Sequence, residues 1–158
     1  MELTVGSLFS GIGGIDIAFQ QAGYKVAWAI EKDAACCRTY RHNFKDVDLI
    51  EADIRNVDPS TLDRADVITA GFPCQPFSYA GLCEGFKDQT RGTLFFDICR
   101  ILSYHKPKMF FLENVKGLVS HKGGKTLEVI LKNLRGLGYD VHWTVLSSLD
   151  YGLPQKRE

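Results

Sequence analysis

The chain has 158 residues, 45% of them hydrophobic and 24% charged, which fits one globular domain and excludes a disordered segment. Nineteen basic and nineteen acidic side chains give a net charge of zero, whereas a nucleic-acid-binding domain usually presents a basic surface. No run of about 18 apolar residues occurs, and no basic region precedes an apolar core at the N-terminus, so we expect an intracellular protein without a membrane span.

The five cysteines do not form a pattern of paired or grouped ligands. They are Cys36, Cys37, Cys74, Cys83 and Cys99. An odd number without a CxxC pair argues against a disulfide framework. Zinc sites need grouped ligands, and the four histidines are scattered, so no metal is expected.

Apolar runs alternate with segments of helical periodicity along the whole chain. In chain order, the pattern predicts a strand over 3–9, a helix over 13–23, a strand over 24–31, a helix over 33–44, a strand over 47–51, a strand over 65–72, an irregular loop over 73–91, a helix over 92–105, a strand over 108–114, a helix over 125–138 and mostly strand over 139–152.

This alternation predicts an α/β fold with a mostly parallel sheet and helices on both faces. Right-handed crossovers place the loops that follow the strands along one edge of the sheet, where ligands bind in such folds. The residues with chemical potential fall there. They are the segment FSGIGG at 9–14, Glu31, Asp53, Cys74 and Glu113.

Three of these positions together indicate a nucleoside ligand. Glycines in FSGIGG allow a tight turn and a close approach of backbone N–H groups to a ligand. Glu31 at a strand end suits ribose hydroxyls, and Asp53 could accept from an adenine amino group. Taken singly, each has a simpler explanation, namely a strand–helix turn, a solvated charge and a turn cap.

Cys74 lies between Pro73 and Pro76, which restrict the backbone on both sides. A packing cysteine needs no such rigidity, whereas a nucleophile does, because misplacement lowers the rate. Glu113 and Asn114 follow an apolar strand, where we expect a partly desolvated carboxyl able to carry a proton, or else a simple strand-end cap. Arg91 and Arg157 could contact phosphate.

Five segments, in this order, resemble motifs of the DNA cytosine-5 methyltransferases of the bacterial restriction–modification type. They are FSGIGG, GFPCQPFS, RGTLFFDICRIL, ENV and DYGLPQKRE. The resemblance covers essentially the whole chain. It implies a Rossmann-like sheet that binds S-adenosylmethionine and releases S-adenosylhomocysteine, incomplete here at its C-terminus.

The resemblance also implies the residues of the cofactor site. Glu31 would hold the ribose, Asp53 the adenine, and Ile54 would pack on the adenine ring. The other residues expected to line the cofactor are Phe9, Gly11, Gly14, Pro73 and Leu94. The position after Glu31 is often Trp in relatives and is Lys32 here, which removes an aromatic stacking partner, and Ala52 replaces a usual Gly.

The implied reaction begins with addition of the Cys74 thiolate to carbon 6 of cytosine. Glu113 would protonate ring nitrogen 3, Asn114 would orient the loop or contact the base, and Arg157 belongs to the same catalytic set. A base inside double-stranded DNA must be flipped out for such chemistry. The glycine-containing segment 75–91 is a plausible lid over that base.

By this resemblance, residues 1–158 form the N-terminal part of a catalytic domain, and the target recognition region and closing C-terminal motif are absent. Much of the DNA-contacting surface would then lie elsewhere, which accounts for the zero net charge. The strand at 139–149 would lack a neighbour, so we expect dimerisation, a displaced last strand or poor solubility. A C-terminal polypeptide or self-association through the open sheet edge would cover it.

Three origins stay open: an N-terminal fragment of a longer enzyme, half of a split methyltransferase, or a gene with a premature stop. An RNA cytosine methyltransferase is one alternative function, although Phe72 before the Pro-Cys pair differs from such relatives. A non-catalytic module that binds S-adenosylmethionine or a partner chain is another. The expected location is the bacterial cytoplasm, at the nucleoid, and the target sequence cannot be inferred.

Overall fold

The computed structural model describes residues 2–73 and 94–157. Cys74, Arg91 and the predicted lid at 75–91 therefore lie outside the described residues. In chain order, the described strands and α-helices are β1 Thr4–Leu8, α1 Gly14–Gln21, β2 Lys25–Glu31, α2 Ala34–Asn43, β3 Asp48–Glu51, β4 Val67–Gly71, α3 Leu94–His105, β5 Met109–Glu113, α4 Gly117–Ser120 and α5 Lys125–Gly136. Short 3₁₀ turns occur at Ile54–Asn56, Pro59–Thr61, His121–Gly124 and Ser148–Tyr151.

The five strands form one parallel sheet in the order β3-β2-β1-β4-β5. The chain builds outward from β1 through β2 to β3, and then returns to add β4 and β5 on the other side of β1. The carboxyl ends of β1 and β4 therefore flank the topological switch point, where sheets of this kind bind ligands. The predicted parallel α/β fold is confirmed.

Helices cover both faces of the sheet. On one face, α3 and α5 pack on strand residues such as Leu8, Ile30 and Ile68 in the largest apolar cluster. On the other face, Phe19 of α1 packs against Val5, Val26 and Val67. Tyr40 of α2 and Phe44, the residue after α2, pack against Ala29. This two-sided burial explains why the central strands read as nearly continuous apolar runs in the sequence.

The strand predicted over 139–152 is wrong. Residues 139–147 join no ladder of the described sheet, and a 3₁₀ turn follows at Ser148–Tyr151. Tyr139 donates to the Pro107 carbonyl at 3.0 Å and contacts the ring of Phe110, which anchors only the start of the segment. The alternation of VHWTVL suits a strand, but a strand forms only where a neighbour offers a ladder.

β5 is consequently the end strand of the described sheet, with no described strand on its outer side, and some of its apolar side chains are partly exposed. Met109 and Phe111 each show 44% of their surface to solvent, and Trp143 and Leu146 in the following segment show 52% and 54%. A displaced last segment was one of the three outcomes expected from the sequence. No helix in residues 2–73 or 94–157 is long and apolar enough to cross a membrane.

Candidate functional site

The loop between β1 and α1 has a backbone that only certain residues adopt easily. Phe9, Gly11 and Gly13 have φ values of 54°, 56° and 93°. A Cβ at Gly13 would lie 2.1 Å from the Phe44 ring, whereas a Cβ at Gly11 or Gly14 would meet nothing within 4 Å. Gly13 is thus required for packing on α2, while Gly11 and Gly14 border open space at the sheet edge.

Glu31, the last residue of β2, fixes this loop. Its Oε2 atom accepts a hydrogen bond from the Gly11 N–H at 2.8 Å, and its Oε1 atom accepts from the N–H groups of Lys32 and Asp33 at 2.8 Å each. A carboxylate has about four acceptor positions, so about one is left for a ligand. This structural role was not predicted from the sequence, in which Glu31 was considered only as a ribose ligand or a solvated charge.

Asp53 begins the 3₁₀ turn that follows β3. Its Oδ1 atom accepts from the backbone N–H of Arg55 at 3.1 Å and from Arg55 Nε at 2.9 Å, and its Oδ2 atom accepts from Arg55 Nη2 at 2.6 Å. These bonds from Arg55 hold the pKa of the Asp53 carboxyl well below its usual range. The turn-capping role and an ionised acceptor are therefore present in the same residue.

Arg100 of α3 supports the turn from below. Its Nη1 atom donates to the Val57 carbonyl and its Nη2 atom to the Ile54 carbonyl, both at 2.8 Å. Asp97 pairs with the same guanidinium at 3.2 Å, and burial raises the pKa of Asp97. Ile54 is 3% exposed and belongs to the core. The sequence offers only the Asp97–Arg100 spacing of three as a sign of this support.

Pro73 and Leu94 flank the part of the chain that is not described. Pro73 is exposed at the end of the β4 segment, and Leu94 is buried at the first position of α3. Both positions lie next to the same undescribed segment. Their expected part in lining a cofactor stays a prediction.

Glu113 ends β5 directly beside the end of β4. Its register partner is Gly71, and a Cβ on Gly71 would lie 3.5 Å from Oε2 of Glu113. A Cβ at position 71 would thus make an ordinary van der Waals contact with the carboxylate, which lies close to the end of β4. Glu113 is exposed, so the expected partial desolvation is not supplied by the described residues.

Asn114 connects β5 to the segment that leads into Cys74. Its Nδ2 atom donates to the carbonyl of the buried residue Phe72 at 2.8 Å, and its Oδ1 atom accepts from the Val115 N–H at 2.9 Å. Phe72 precedes Cys74 by two residues. The loop-orienting role expected for Asn114 thus has a specific atomic contact.

Arg157 bonds to the C-terminal 3₁₀ turn and not to the residues described above. Its backbone pairs with Ser148, accepting from the Ser148 N–H at 2.9 Å and donating to the Ser148 Oγ atom at 3.1 Å. Its side chain is exposed. Within the described part of the chain, it makes no hydrogen bond or ion pair with Glu113 or Asn114. No group of three or more metal-ligating side chains is found among the described residues.

A profile of the family described as "C-5 cytosine-specific DNA methylase" matches residues 3–158. The chain belongs to this family. It is 49% identical over 151 residues to the Type II methyltransferase M.NgoBI of Neisseria gonorrhoeae, covering 96% of this chain and 47% of that protein. It is 45% identical over 158 residues to the Type II methyltransferase M.Bsp6I of a Bacillus strain, covering 99% and 50%. The chain thus spans about half the length of these two relatives.

Solved structures of methyltransferases share the fold. A putative DNA modification methyltransferase from an Escherichia coli prophage superposes with a TM-score of 0.80 at 28% identity, covering 99% of this chain and 44% of that one. The Dnmt2 methyltransferase of S. pombe superposes with a TM-score of 0.78 at 27% identity, covering 99% and 48%. These similarities support the family's α/β methyltransferase architecture for the described strands and helices.

Proposed function

We propose that this chain supplies the cofactor-binding and catalytic part of an enzyme that methylates carbon 5 of cytosine in double-stranded DNA. The observation that carries the proposal is the arrangement of the sheet edge. Glu31 and Glu113 end β2 and β5, and Asp53 follows β3, so all three lie at the carboxyl ends of one parallel sheet, where the glycine loop at 9–14 follows β1. Membership of the C-5 cytosine-specific DNA methylase family indicates which reaction takes place there.

The described residues fit an adenosine-containing cofactor. Gly11 and Gly14 border open space, so a ligand can approach the backbone of the loop closely. Glu31 keeps about one acceptor position for a ribose hydroxyl, and the ionised Asp53 carboxylate can accept from an adenine amino group. S-adenosylmethionine, when bound, would supply an electrophilic methyl group and leave as S-adenosylhomocysteine.

The proposed chemistry uses Cys74 as the nucleophile. Its thiolate adds to carbon 6 of the flipped cytosine, and the electron pair of the ring double bond moves so that carbon 5 becomes nucleophilic. Glu113 donates a proton to ring nitrogen 3, which keeps the adduct neutral. After carbon 5 takes the methyl group, the hydrogen on carbon 5 leaves as a proton to solvent, the thiolate is eliminated, and the proton on ring nitrogen 3 returns to Glu113.

Asn114 supports this assignment because it connects the two catalytic segments. It follows Glu113 directly and holds the Phe72 carbonyl, two residues before Cys74. A base seated over Glu113 would also remove water from that exposed carboxyl, which the described residues leave open. Arg157 enters the proposal as a phosphate contact from the C-terminal turn.

The remaining partners follow from the exposed β5 edge and the length of the relatives. We propose that a C-terminal polypeptide, as in the longer relatives, or a second copy covers Met109, Phe111 and Trp143. That covering part would also supply DNA contacts, since this chain has no net charge. The proposed place of action is the bacterial cytoplasm, on chromosomal DNA.

Covalent trapping on a duplex that carries 5-fluorocytosine tests the proposal. Fluorine at carbon 5 cannot leave as a cation, so a thiolate adduct that has taken the methyl group persists and is seen by intact-protein mass spectrometry. We expect one adduct per chain, mapped by peptide digestion to Cys74, in the presence of S-adenosylmethionine and the C-terminal half of a Type II relative, which supplies the proposed DNA contacts. Cys36→Ala, which changes an unrelated thiol, should retain the adduct, and Cys74→Ala should lose it. An adduct on another residue would contradict the mechanism.

A further inference from the structure

The acceptor capacity of Asp53 is almost filled by its own neighbour. Each carboxylate oxygen carries two lone pairs. On Oδ1 both are used, by the backbone N–H and by Nε of Arg55. On Oδ2 one is used by Arg55 Nη2 at 2.6 Å. One lone pair on Oδ2 is therefore the part of this carboxylate that is left for a further donor.

Lys32 is placed to compete for that lone pair. Its Nζ atom lies 3.8 Å from Oδ2 of Asp53, and its side chain is 59% exposed, against 18% for Asp53. Its backbone is fixed, because the Lys32 N–H donates to Glu31 Oε1 at 2.8 Å. The ammonium is a pure donor on a flexible stem. It can move onto Oδ2 or away from it without disturbing the turn.

We propose that Lys32 is a specificity-determining residue for the purine of the cofactor, acting through the free lone pair of Asp53 Oδ2. A 6-amino purine would donate to that lone pair, and the ammonium of Lys32, 3.8 Å from Oδ2, competes with it for the same atom. A 6-oxo purine presents an acceptor at the same place, which Asp53 repels and Lys32 attracts. Lys32 thus weakens the binding of the adenine form and strengthens the binding of the hypoxanthine form.

Arg55 differs from Lys32 because two hydrogen bonds from its side chain to Asp53 hold its guanidinium in place. The guanidinium and the backbone N–H of Arg55 make three hydrogen bonds to the carboxylate within a three-residue turn. Arg100 fixes the same turn by holding the Ile54 carbonyl at 2.8 Å. The clamp by Arg55 stays in place whichever purine is bound, and the mobile donor is Lys32.

The inference rests on the proposed function, since it takes an adenosine-containing ligand at Asp53. Its test is calorimetric titration of S-adenosylhomocysteine and of the 6-oxo analogue S-inosylhomocysteine into the unmodified chain and into Lys32→Met. We expect the variant to bind S-adenosylhomocysteine about twofold to fivefold more tightly and the 6-oxo analogue more weakly by a similar factor. Lys45→Met is the matched control, because Lys45 is exposed and precedes β3, at the amino ends of the strands, whereas Asp53 follows β3 at their carboxyl ends. It should change neither affinity.

Opposite signs for the two ligands separate specificity from a general effect on the fold. If Lys32→Met shifts both affinities in the same direction, or shifts neither, the inference is overturned while the proposed cofactor site stands. If the unmodified chain binds S-adenosylhomocysteine and Asp53→Asn does not weaken it, Asp53 is not the purine acceptor and the inference also falls. If the unmodified chain binds neither nucleoside, the proposed cofactor site fails together with the inference.

Discussion

The side-chain amide of Asn114 donates a hydrogen bond of 2.8 Å to the carbonyl oxygen of Phe72. This bond joins the end of β5 to the backbone that leads, two residues later, into Cys74. This one contact therefore links the backbone positions of Glu113, which precedes Asn114, and of the proposed nucleophile. We expect the rate of reaction to depend on this bond more strongly than cofactor affinity does.

Asn114→Asp should lower the rate of adduct formation on a 5-fluorocytosine duplex by about a hundredfold, because a small displacement of a reacting group costs this much. Aspartate can still accept from the Val115 N–H but cannot donate to the Phe72 carbonyl. Asn43→Ala changes an exposed asparagine on α2, whose side-chain amide donates to the Thr39 carbonyl at 3.0 Å, and should leave the rate unchanged. An Asn114→Asp protein with an unchanged rate would contradict the positioning role.

Glu31→Gln should destabilise the fold by about 1–3 kcal/mol, because the amide NH₂ replaces one acceptor oxygen and leaves at least one backbone N–H without a partner. The free energy of unfolding in urea measures this effect, and we expect weaker binding of S-adenosylhomocysteine as well. Glu51→Gln is the control at the end of β3, where the exposed carboxylate pairs with Arg41 at 2.7 Å. That change should cost less than about 1 kcal/mol. Equal stability of both variants would show that the Gly11 contact does not stabilise the loop.

Gly13 and Gly14 form a matched pair that separates packing from binding. Gly13→Ala places a Cβ 2.1 Å from the Phe44 ring at a φ of 93°, so we expect a loss of stability of about 2 kcal/mol or more. Gly14 is the first residue of α1, and a Cβ there meets nothing within 4 Å. Gly14→Ala should therefore change the free energy of unfolding by less than about 1 kcal/mol. If Gly14 borders the cofactor, the same change weakens S-adenosylhomocysteine binding. Thermal unfolding and calorimetry on both variants check this contrast, which fails if both unfold alike.

We expect Asp66 to make the free energy of unfolding depend on pH in acid. It accepts from the Thr4 N–H at 3.0 Å and from Lys108 Nζ at 2.8 Å, which joins the amino ends of three strands. These partners, Lys108 first, lower the pKa of Asp66 from 3.8 to about 2. Because the folded state holds the proton less tightly than the unfolded state, Asp66 stabilises the fold above the unfolded pKa. That stability is lost as pH falls through the folded pKa.

The difference in unfolding free energy between the unmodified chain and Asp66→Asn should therefore be constant near neutral pH and shrink between pH about 4 and about 2. Urea unfolding followed by tryptophan fluorescence at several pH values measures it. A difference that stays the same down to pH about 2 would show that Asp66 titrates as it does in the unfolded chain.

Amide exchange tests the unpaired segment after α5. Residues 142–146 make no ladder bonds in the described structure and carry exposed apolar side chains such as Trp143 and Leu146. We expect them to exchange within seconds, while Ile68 and Thr69 of β4 stay protected. Addition of the C-terminal half of a Type II relative should slow exchange in the same segment and along β5. Protected amides at 142–146 in the isolated chain would contradict the observed arrangement.

Most of the fold could be predicted from the sequence because its signals are local. The apolar runs of β1, β2 and β4 and the helical spacing of α1 and α3 come from burial on fixed periods. The strand prediction for 139–152 was wrong because the signal that decides it is not local. The alternating pattern of this segment is strand-like, but a strand also needs a neighbour with free backbone groups on the correct side, and no local pattern reports that.

The site was predictable in its positions and less so in its contacts. Glu31, Asp53 and Glu113 were placed at one edge by the topology alone. That Glu31 is occupied by the Gly11 N–H, and that Arg100 holds the Ile54 carbonyl, depends on how distant segments approach. The expected desolvation of Glu113 stays a prediction, because the described residues leave this carboxyl exposed at the end of the edge strand β5.

The most direct test of the central claim is transfer of labelled methyl groups from S-adenosylmethionine to unmethylated genomic DNA. The chain is assayed alone and together with the C-terminal half of a Type II relative, beside Cys74→Ala under the same conditions. We expect transfer in at least one of the two conditions, complete loss of transfer in Cys74→Ala, and retained binding of S-adenosylhomocysteine by that variant. Transfer that persists in Cys74→Ala, or no transfer by the folded, cofactor-binding chain in either condition, would contradict the account.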